Sequence, residues 1–228
     1  MTATDTGVGK TILCAALLAA MSADGEDVRA YKPAVTGLED QAEITARGRW
    51  PADHELLAAV AGMEPDEVSP LRFGAAAAPH LAAQLEGRRI EPAQLLDAAH
   101  RLAGAQTRER TLIVEGVGGL LVPIAPGYDV RELARDLGLR IVIAARTGLG
   151  TINHTLLTLE AARSAGLDIA AVVLTPWPES PSAIERSNRE TIAALGDVAV
   201  ATLPPVAGAT PEQLAAAGAT LPLAQWLA

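Results

Sequence analysis

The sequence predicts one three-layer α/β domain over residues 1–228, a mostly parallel sheet with helices on both faces. Three observations predict it. Short runs rich in valine and isoleucine alternate with helical stretches along the chain. The runs read as strands covered on both faces. Half of the 228 residues are apolar (50%), enough to bury a substantial core at this length.

In chain order, residues 11–23 (TILCAALLAAMSA) are good helix formers, apolar on nearly every face, and Gly25 stands where such a helix can end. That composition suits a helix buried against a sheet. Strands are expected at 27–34, 111–115, 140–145, 169–174 and 197–202. Helices are expected at 92–105, 130–137, 153–165 and 182–195. The segment 37–51 is polar and without period, and reads as a long functional loop. In such a sheet, ligands bind at the carboxyl ends of the strands.

Charge and composition narrow the function. A net charge of -9 and a pI near 4.9, with the basic residues scattered, disfavour a nucleic-acid partner. The single cysteine, Cys14, forms no intramolecular disulfide, and a packing role inside the first helix is expected of it. No basic region precedes an apolar one at the amino end, and every apolar run is too short to cross a bilayer. A cytoplasmic protein with no membrane partner is expected. Aromatic residues are only 3%, so the core must be built from aliphatic side chains.

The segment 4–11 (TDTGVGKT) runs straight into the first helix and carries most of the functional information. Thr6, Gly7, Val8 and Gly9 form a tight loop that aims backbone N–H groups at an anion, and the helix N-terminus adds partial positive charge. Lys10 is placed to reach the β- and γ-phosphates of a nucleotide, and the Thr11 hydroxyl to bind Mg2+. A glycine-rich turn that merely caps a core helix is the alternative. The strict pattern G-x4-G-K-[ST] fails, because Thr4 stands where it needs glycine. Only three residues precede Thr4, so the strand expected ahead of such a loop is missing or truncated, or the sheet is built without it. A loop deprived of that strand is expected to be poorly held.

Four further segments follow in order: 31–37 (YKPAVTG), Pro79-His80, 114–119 (VEGVGG) and 148–154 (GLGTINH). With the loop, they make the chain resemble the dethiobiotin synthetases, a family of the P-loop NTPase superfamily. The resemblance runs from Thr4 to about Pro176. The family loop reads G-T-D-T-x-V-G-K-T, so Ala3 replaces its first glycine, and the absence of glycine at position 4 is a family feature.

The resemblance implies an ATP- and Mg2+-dependent ligase acting on 7,8-diaminopelargonic acid and CO2. Lys32, at the end of a predicted strand, would join Lys10 in neutralising the transferring phosphoryl group; from position alone a solvated lysine is an equal reading. Thr36 would touch the substrate. Glu115 ends the run TLIVE, and a carboxylate carried there by an apolar strand needs a cation, for which Mg2+ is suited; an acidic cap is the alternative. The resemblance makes Asp53 the third metal ligand beside Thr11 and Glu115, although Asp53 could be a helix N-cap and Asp40 or Glu39 its rival. Gly116 and Gly118 would allow close approach of backbone to substrate. Gly150, Thr151 and Asn153 would grip the substrate carboxylate from a neighbouring subunit, which implies a homodimer; an ordinary N-cap is the alternative. His80 and His154 read as structural.

For the base, many members of the family carry asparagine where this chain has Thr175, which cannot make a two-sided amide contact. ATP is still expected, with Pro204 lining the base. A partition-type switch ATPase would carry a signature lysine at position 5, where Asp5 stands. An amidotransferase of the cobyrinic acid synthase type would need a glutaminase part with a nucleophilic cysteine. An inactive nucleotide sensor is the third alternative.

Overall fold

The computed structural model describes residues 1–39, 50–104 and 110–227. The long loop expected at 37–51 therefore falls largely outside the described residues. At the centre of the sheet, β6 (Ile141–Ala145) pairs in parallel with β7 (Ile169–Leu174). β8 (Val200–Thr202) extends the sheet on one side, and β1 (Thr2–Ala3) on the other, in register Thr2↔Ile143 and Ala3↔Ala144. β2 (Val28–Tyr31) and β3 (Thr111–Val114) form a second parallel pair. Met1 joins the two sets: its amino group donates to the Val114 carbonyl at 2.7 Å, and its own carbonyl accepts from Gly116 N–H at 2.9 Å. The resulting order is β2-β3-β1-β6-β7-β8.

Alternation along the central strands sets the two faces. Ala144, Ala171 and Val173 pack toward α1 (Lys10–Ala23). Ile141, Ile143, Ala145, Val172 and Leu174 pack toward α7 (Thr151–Ser164) and α8 (Ala183–Gly196), meeting Leu159, Ala162 and Ile192. The first helix is buried on nearly every face, as its composition requires, because α2 (Asp53–Ala61) and α9 (Pro211–Gly218) cover what the sheet leaves open. α3 (Pro65–Val68) follows α2, while α4 (Pro79–Leu85), α5 (Pro92–Ala103) and α6 (Val130–Leu137) build a separate aliphatic cluster against the hairpin of β4 (Pro123–Ala125) and β5 (Tyr128–Asp129). α10 (Leu223–Leu227) closes the described chain.

Each strand and helix expected from the sequence is present, with ends set by local chemistry. β2 stops before Lys32, whose N–H leaves the ladder and bonds the Val68 carbonyl at 2.8 Å ahead of Pro33. β8 begins three residues late, because Asp197 adopts a left-handed conformation (φ 42°) that ends α8. The strand ahead of the phosphate loop exists, two residues long, so the reading of a sheet built without it is corrected. The loop is not poorly held either, since Thr4 N–H continues the ladder to the Ala144 carbonyl at 3.0 Å.

Close packing of α9 on α1 rests on a glycine. A Cβ at Gly218 would stand 2.0 Å from the Ala16 carbonyl oxygen, a backbone atom inside a buried helix. Gly218→Ala is therefore expected to lower stability by about 2 kcal/mol through forced separation of the two helices, measured by urea denaturation, with Gly148→Ala, at a glycine free of neighbours and of positive φ, as the comparison.

Candidate nucleotide site

The loop 4–9 leaves β1 at the carboxyl edge of the sheet and turns into α1 through Gly9, whose φ of 97° a side chain would strain. Gly9 offers no side-chain cap, so the first-turn N–H groups of α1 remain for a ligand. Lys10 is only 7% exposed and its Nζ stands 3.4 Å from the Asp5 carbonyl, a weak contact for a buried cation. Burial lowers its pKa, Glu115 raises it and the neighbouring Lys32 lowers it again; the net direction is down.

Beside the loop lies a buried charge cluster. Lys32, 4% exposed, donates to Glu115 Oε1 at 2.6 Å and to Asp53 Oδ2 at 2.7 Å. Thr11 Oγ1 donates to the same Glu115 Oε1 at 2.8 Å. Four elements contribute: Lys32 follows β2, Glu115 follows β3, Asp53 opens α2 and Thr11 lies in the first turn of α1. Burial pushes the Lys32 ammonium down, but the two carboxylates outweigh it and hold the pKa above its ordinary value. Burial raises Asp53 in the same way, and the Lys32 charge and hydrogen bond reverse this, leaving it low. The solvated-lysine reading of Lys32 is thereby corrected, because desolvation of an ammonium demands the partners it has. Glu115 caps no helix, and Ala52, not Asp53, is the N-cap of α2.

The oxygens of this cluster suit Mg2+. Glu115 Oε2 is buried without a hydrogen-bond partner, and carboxylate oxygens of Asp53 and Glu115 meet at the Lys32 ammonium while the Thr11 hydroxyl bonds Glu115. An all-oxygen set of two carboxylates and a hydroxyl fits a magnesium ion that shares its remaining positions with phosphate oxygens and water. Among the described residues no three His, Cys, Asp or Glu side chains converge as they would around zinc. Glu39 lies against Gly74, and Asp40 falls outside the described residues.

The remaining residues divide. Gly118 borders the loop, since a Cβ there would meet Val122 and stand 3.4 Å from Thr6 Oγ1. Gly116 faces Val130 and the Met1 carbonyl, so its missing side chain serves packing. Thr36 is half-exposed next to Val35, which bridges to Arg72. Gly150, with φ of 89°, is the N-cap of α7. The Thr151 hydroxyl is buried and donates to the Arg146 carbonyl at 2.6 Å, while Asn153 is exposed in the first turn. Thr175 is buried against Gly9, and Pro204 is half-exposed after β8. His80 Nδ1 lies 3.3 Å from the Pro123 carbonyl, a scaffold contact. Arg146, which sequence reasoning missed, donates to the Thr6 carbonyl at 3.0 Å and lies 3.8 Å from Asp5. Its signal was an arginine directly after the apolar run 141–145.

A glycine-rich loop opening a helix, a lysine and a hydroxyl at the helix start, and a carboxylate from the adjacent parallel strand define the phosphate-loop class of nucleotide-binding α/β proteins. A family model described as an AAA domain matches residues 1–213, and the ATP-dependent dethiobiotin synthetase BioD of Anaeromyxobacter sp. (strain Fw109-5) is 42% identical over 208 residues, covering 87% of this chain and 89% of the relative. The enzyme of the same name from Bacillus subtilis (strain 168) is 34% identical over 214 residues, covering 93% and 86%. The chain belongs to the ATP-dependent dethiobiotin synthetase family. Two solved structures share the fold alone: apo McdA of Cyanthece (TM-score 0.53, 11% identity, 98% of this chain and 90% of that one) and a ParA family ATPase from Chlorobium tepidum TLS (0.52, 14%, 98% and 91%).

Two outcomes follow from the cluster. Glu115→Ala leaves Lys32 buried with one partner fewer, and is expected to destabilise the protein by about 3 kcal/mol in a denaturant titration. Because the folded pKa of Asp53 is lowered, its contribution to stability is present above about pH 4 and is lost as pH falls through the folded value. Asp53→Asn is therefore expected to flatten the acid limb of the stability curve below about pH 4, and an acid limb identical to that of the parent protein would rule out this linkage.

Proposed function

We propose that this chain closes the cyclic urea of dethiobiotin on 7,8-diaminopelargonic acid, using CO2 and ATP. The observation that carries this reading is the buried Lys32–Glu115–Asp53–Thr11 cluster beside the phosphate loop, in a chain of this family. One amine adds to CO2 and loses a proton, giving a carbamate. A carbamate oxygen attacks the γ-phosphorus of ATP in line with the departing ADP. The second amine then attacks the carbonyl carbon of the mixed anhydride, expelling phosphate and a proton, and the ring closes.

Little covalent work falls to the protein; its tasks are alignment and charge neutralisation. Thr6, Gly7, Val8 and Gly9 cradle the phosphates with their N–H groups, and Lys10 meets the β- and γ-phosphates. Mg2+ held by Thr11, Asp53 and Glu115 supplies a Lewis-acid charge on the triphosphate when bound. Two of these residues, Glu115 and Asp53, are the partners of Lys32, and with Mg2+ held there its ammonium would be available to the phosphoryl oxygens. Lys32 and Lys10 then carry the charge that builds up in the transition state.

Thr36, Gly116 and Gly118 are assigned to the diamine end of the substrate. Gly150, Thr151 and Asn153 are assigned to its carboxylate. Because Thr151 spends both its hydroxyl and its N–H on Arg146 and Gly148, the grip falls mainly to Asn153. Leu149, 99% exposed next to that turn, is the side chain a second subunit would cover, which supports a homodimer. Glu115, Thr175 and Pro204 are assigned to the nucleotide, and the buried position of Thr175 leaves the base to Pro204. Among the described residues no helix is long and apolar enough to cross a membrane, and Cys14 is buried with its pKa raised by burial, both compatible with a cytoplasmic enzyme.

A switch ATPase of the partition type is the second reading, favoured only by the shared fold. Asp5 opposes it, placing an exposed carboxylate where a second lysine is needed.

Mass spectrometry of the chain with diaminopelargonic acid, bicarbonate, ATP and Mg2+ is expected to show dethiobiotin and ADP together, with neither formed when the diamine is left out. ADP produced equally well without the diamine would favour the switch ATPase. Lys10→Ala is expected to reduce turnover by about 10²-fold or more while circular dichroism stays unchanged.

A further inference from the structure

The turn between β6 and α7 is exposed at Arg146, Gly148, Leu149 and Gly150, yet its backbone is held at successive carbonyls. The Arg146 carbonyl accepts from the Thr151 hydroxyl at 2.6 Å. The Thr147 and Gly148 carbonyls accept from one nitrogen, Asn188 Nδ2, at 2.9 and 3.2 Å. Gly148 accepts also from Thr151 N–H at 3.3 Å.

Asn188 reaches the turn from α8, where it shares a buried stripe with Ile192 and Gly196. Spacing of four residues puts all three on one face of the helix. Ile192 packs into the aliphatic cluster with Leu159 and Ala162 of α7. An apolar side chain at 188 would extend that packing and avoid the cost of burying an amide. The asparagine is only 7% exposed, and its donor is matched by carbonyls of another element. It supplies what an apolar residue cannot, a fixed path for an exposed turn.

That path sets where α7 begins. Gly150 caps the helix without a side-chain hydrogen bond, so the placement of the Ile152 and Asn153 N–H groups and of the Asn153 amide depends on the backbone just upstream. On its other side the same turn is tied to the phosphate loop, through Arg146 and the Thr6 carbonyl.

We propose that Asn188 is a positioning residue for the substrate carboxylate: it fixes the Thr147–Gly148 turn so that Gly150, Thr151 and Asn153 meet the carboxylate in one geometry. The inference rests on the assignment of that segment to the carboxylate under the proposed function. Asn188 acts through the turn and touches no substrate. Its effect is confined to the acid end, because the Lys32–Glu115–Asp53–Thr11 cluster is held by other elements.

The test compares the parent protein with Asn188→Asp, which keeps the size of the side chain and loses the donor, and with Asn188→Ala, which keeps the comparison open should a buried carboxylate unfold the chain. Circular dichroism confirms folding. Each protein is assayed on the diamino acid and on its analogue with a methyl group in place of the carboxylate. The parent is expected to prefer the acid in kcat/KM. Both variants are expected to lose about tenfold of that preference through a higher KM for the diamino acid, with kcat and the KM for ATP held within about twofold. A role confined to helix packing would lower activity on both substrates together. A folded variant with the parent's preference for the acid, whatever its total activity, would overturn the proposal. A parent protein without that preference would instead overturn the carboxylate assignment beneath it, a failure visible before any substitution is made.

Discussion

Burial of the Lys32 ammonium is the constraint around which the nucleotide half of the molecule is organised. An ammonium withdrawn from water costs several kcal/mol unless matched by opposite charge at hydrogen-bond distance. Glu115 and Asp53 supply that match, and each comes from a different element. Thr11 shares the Glu115 oxygen, so the first turn of α1 belongs to the same arrangement. β2, β3, α1 and α2 therefore cannot shift independently near the carboxyl edge without exposing or unpairing a charge.

Strand order turns this constraint into a site. Because β1 lies between β3 and β6, the loop that leaves it emerges between Glu115 on one side and Arg146 on the other. The buried carboxylate flanks the loop on the β3 side, while the arginine holds the loop from outside through the Thr6 carbonyl. One edge of the loop is thus electrostatically fixed by buried groups and the other by an exposed pair, which solvent weakens.

Legibility in the sequence followed the same division. Apolar runs gave β6 and β7 nearly residue for residue, because burial on both faces leaves few alternatives to a strand, and α6 has the expected bounds, where Asp129 and Glu132 cap its start. The short helices α3, α4, α9 and α10 and the hairpin were not read, since their stability comes from tertiary contacts and not from period. In the site, Lys10, Thr11 and Glu115 were legible from position at the edge of an element. Lys32 and Asp53 were not, as nothing local distinguishes a buried ion pair from two surface charges 21 residues apart. Gly116 shows the opposite limit: its glycine was readable, but the neighbour that requires it, Val130, lies on another element.

The two ends of a bound nucleotide would meet surroundings of different kinds. At the phosphate end Val8, Lys10, Lys32, Glu115 and Thr175 are all buried, so the donors are fixed before a ligand arrives and little ordering entropy remains to be lost. Past β8 the chain leaves Pro204 half-exposed and Pro205 exposed, and Thr175, the nearest strand-end hydroxyl, is turned under the loop against Gly9. With Pro204 as the proposed base contact, recognition would rest on the phosphates more than on the base, because among the described residues no side-chain amide is placed to pair with it.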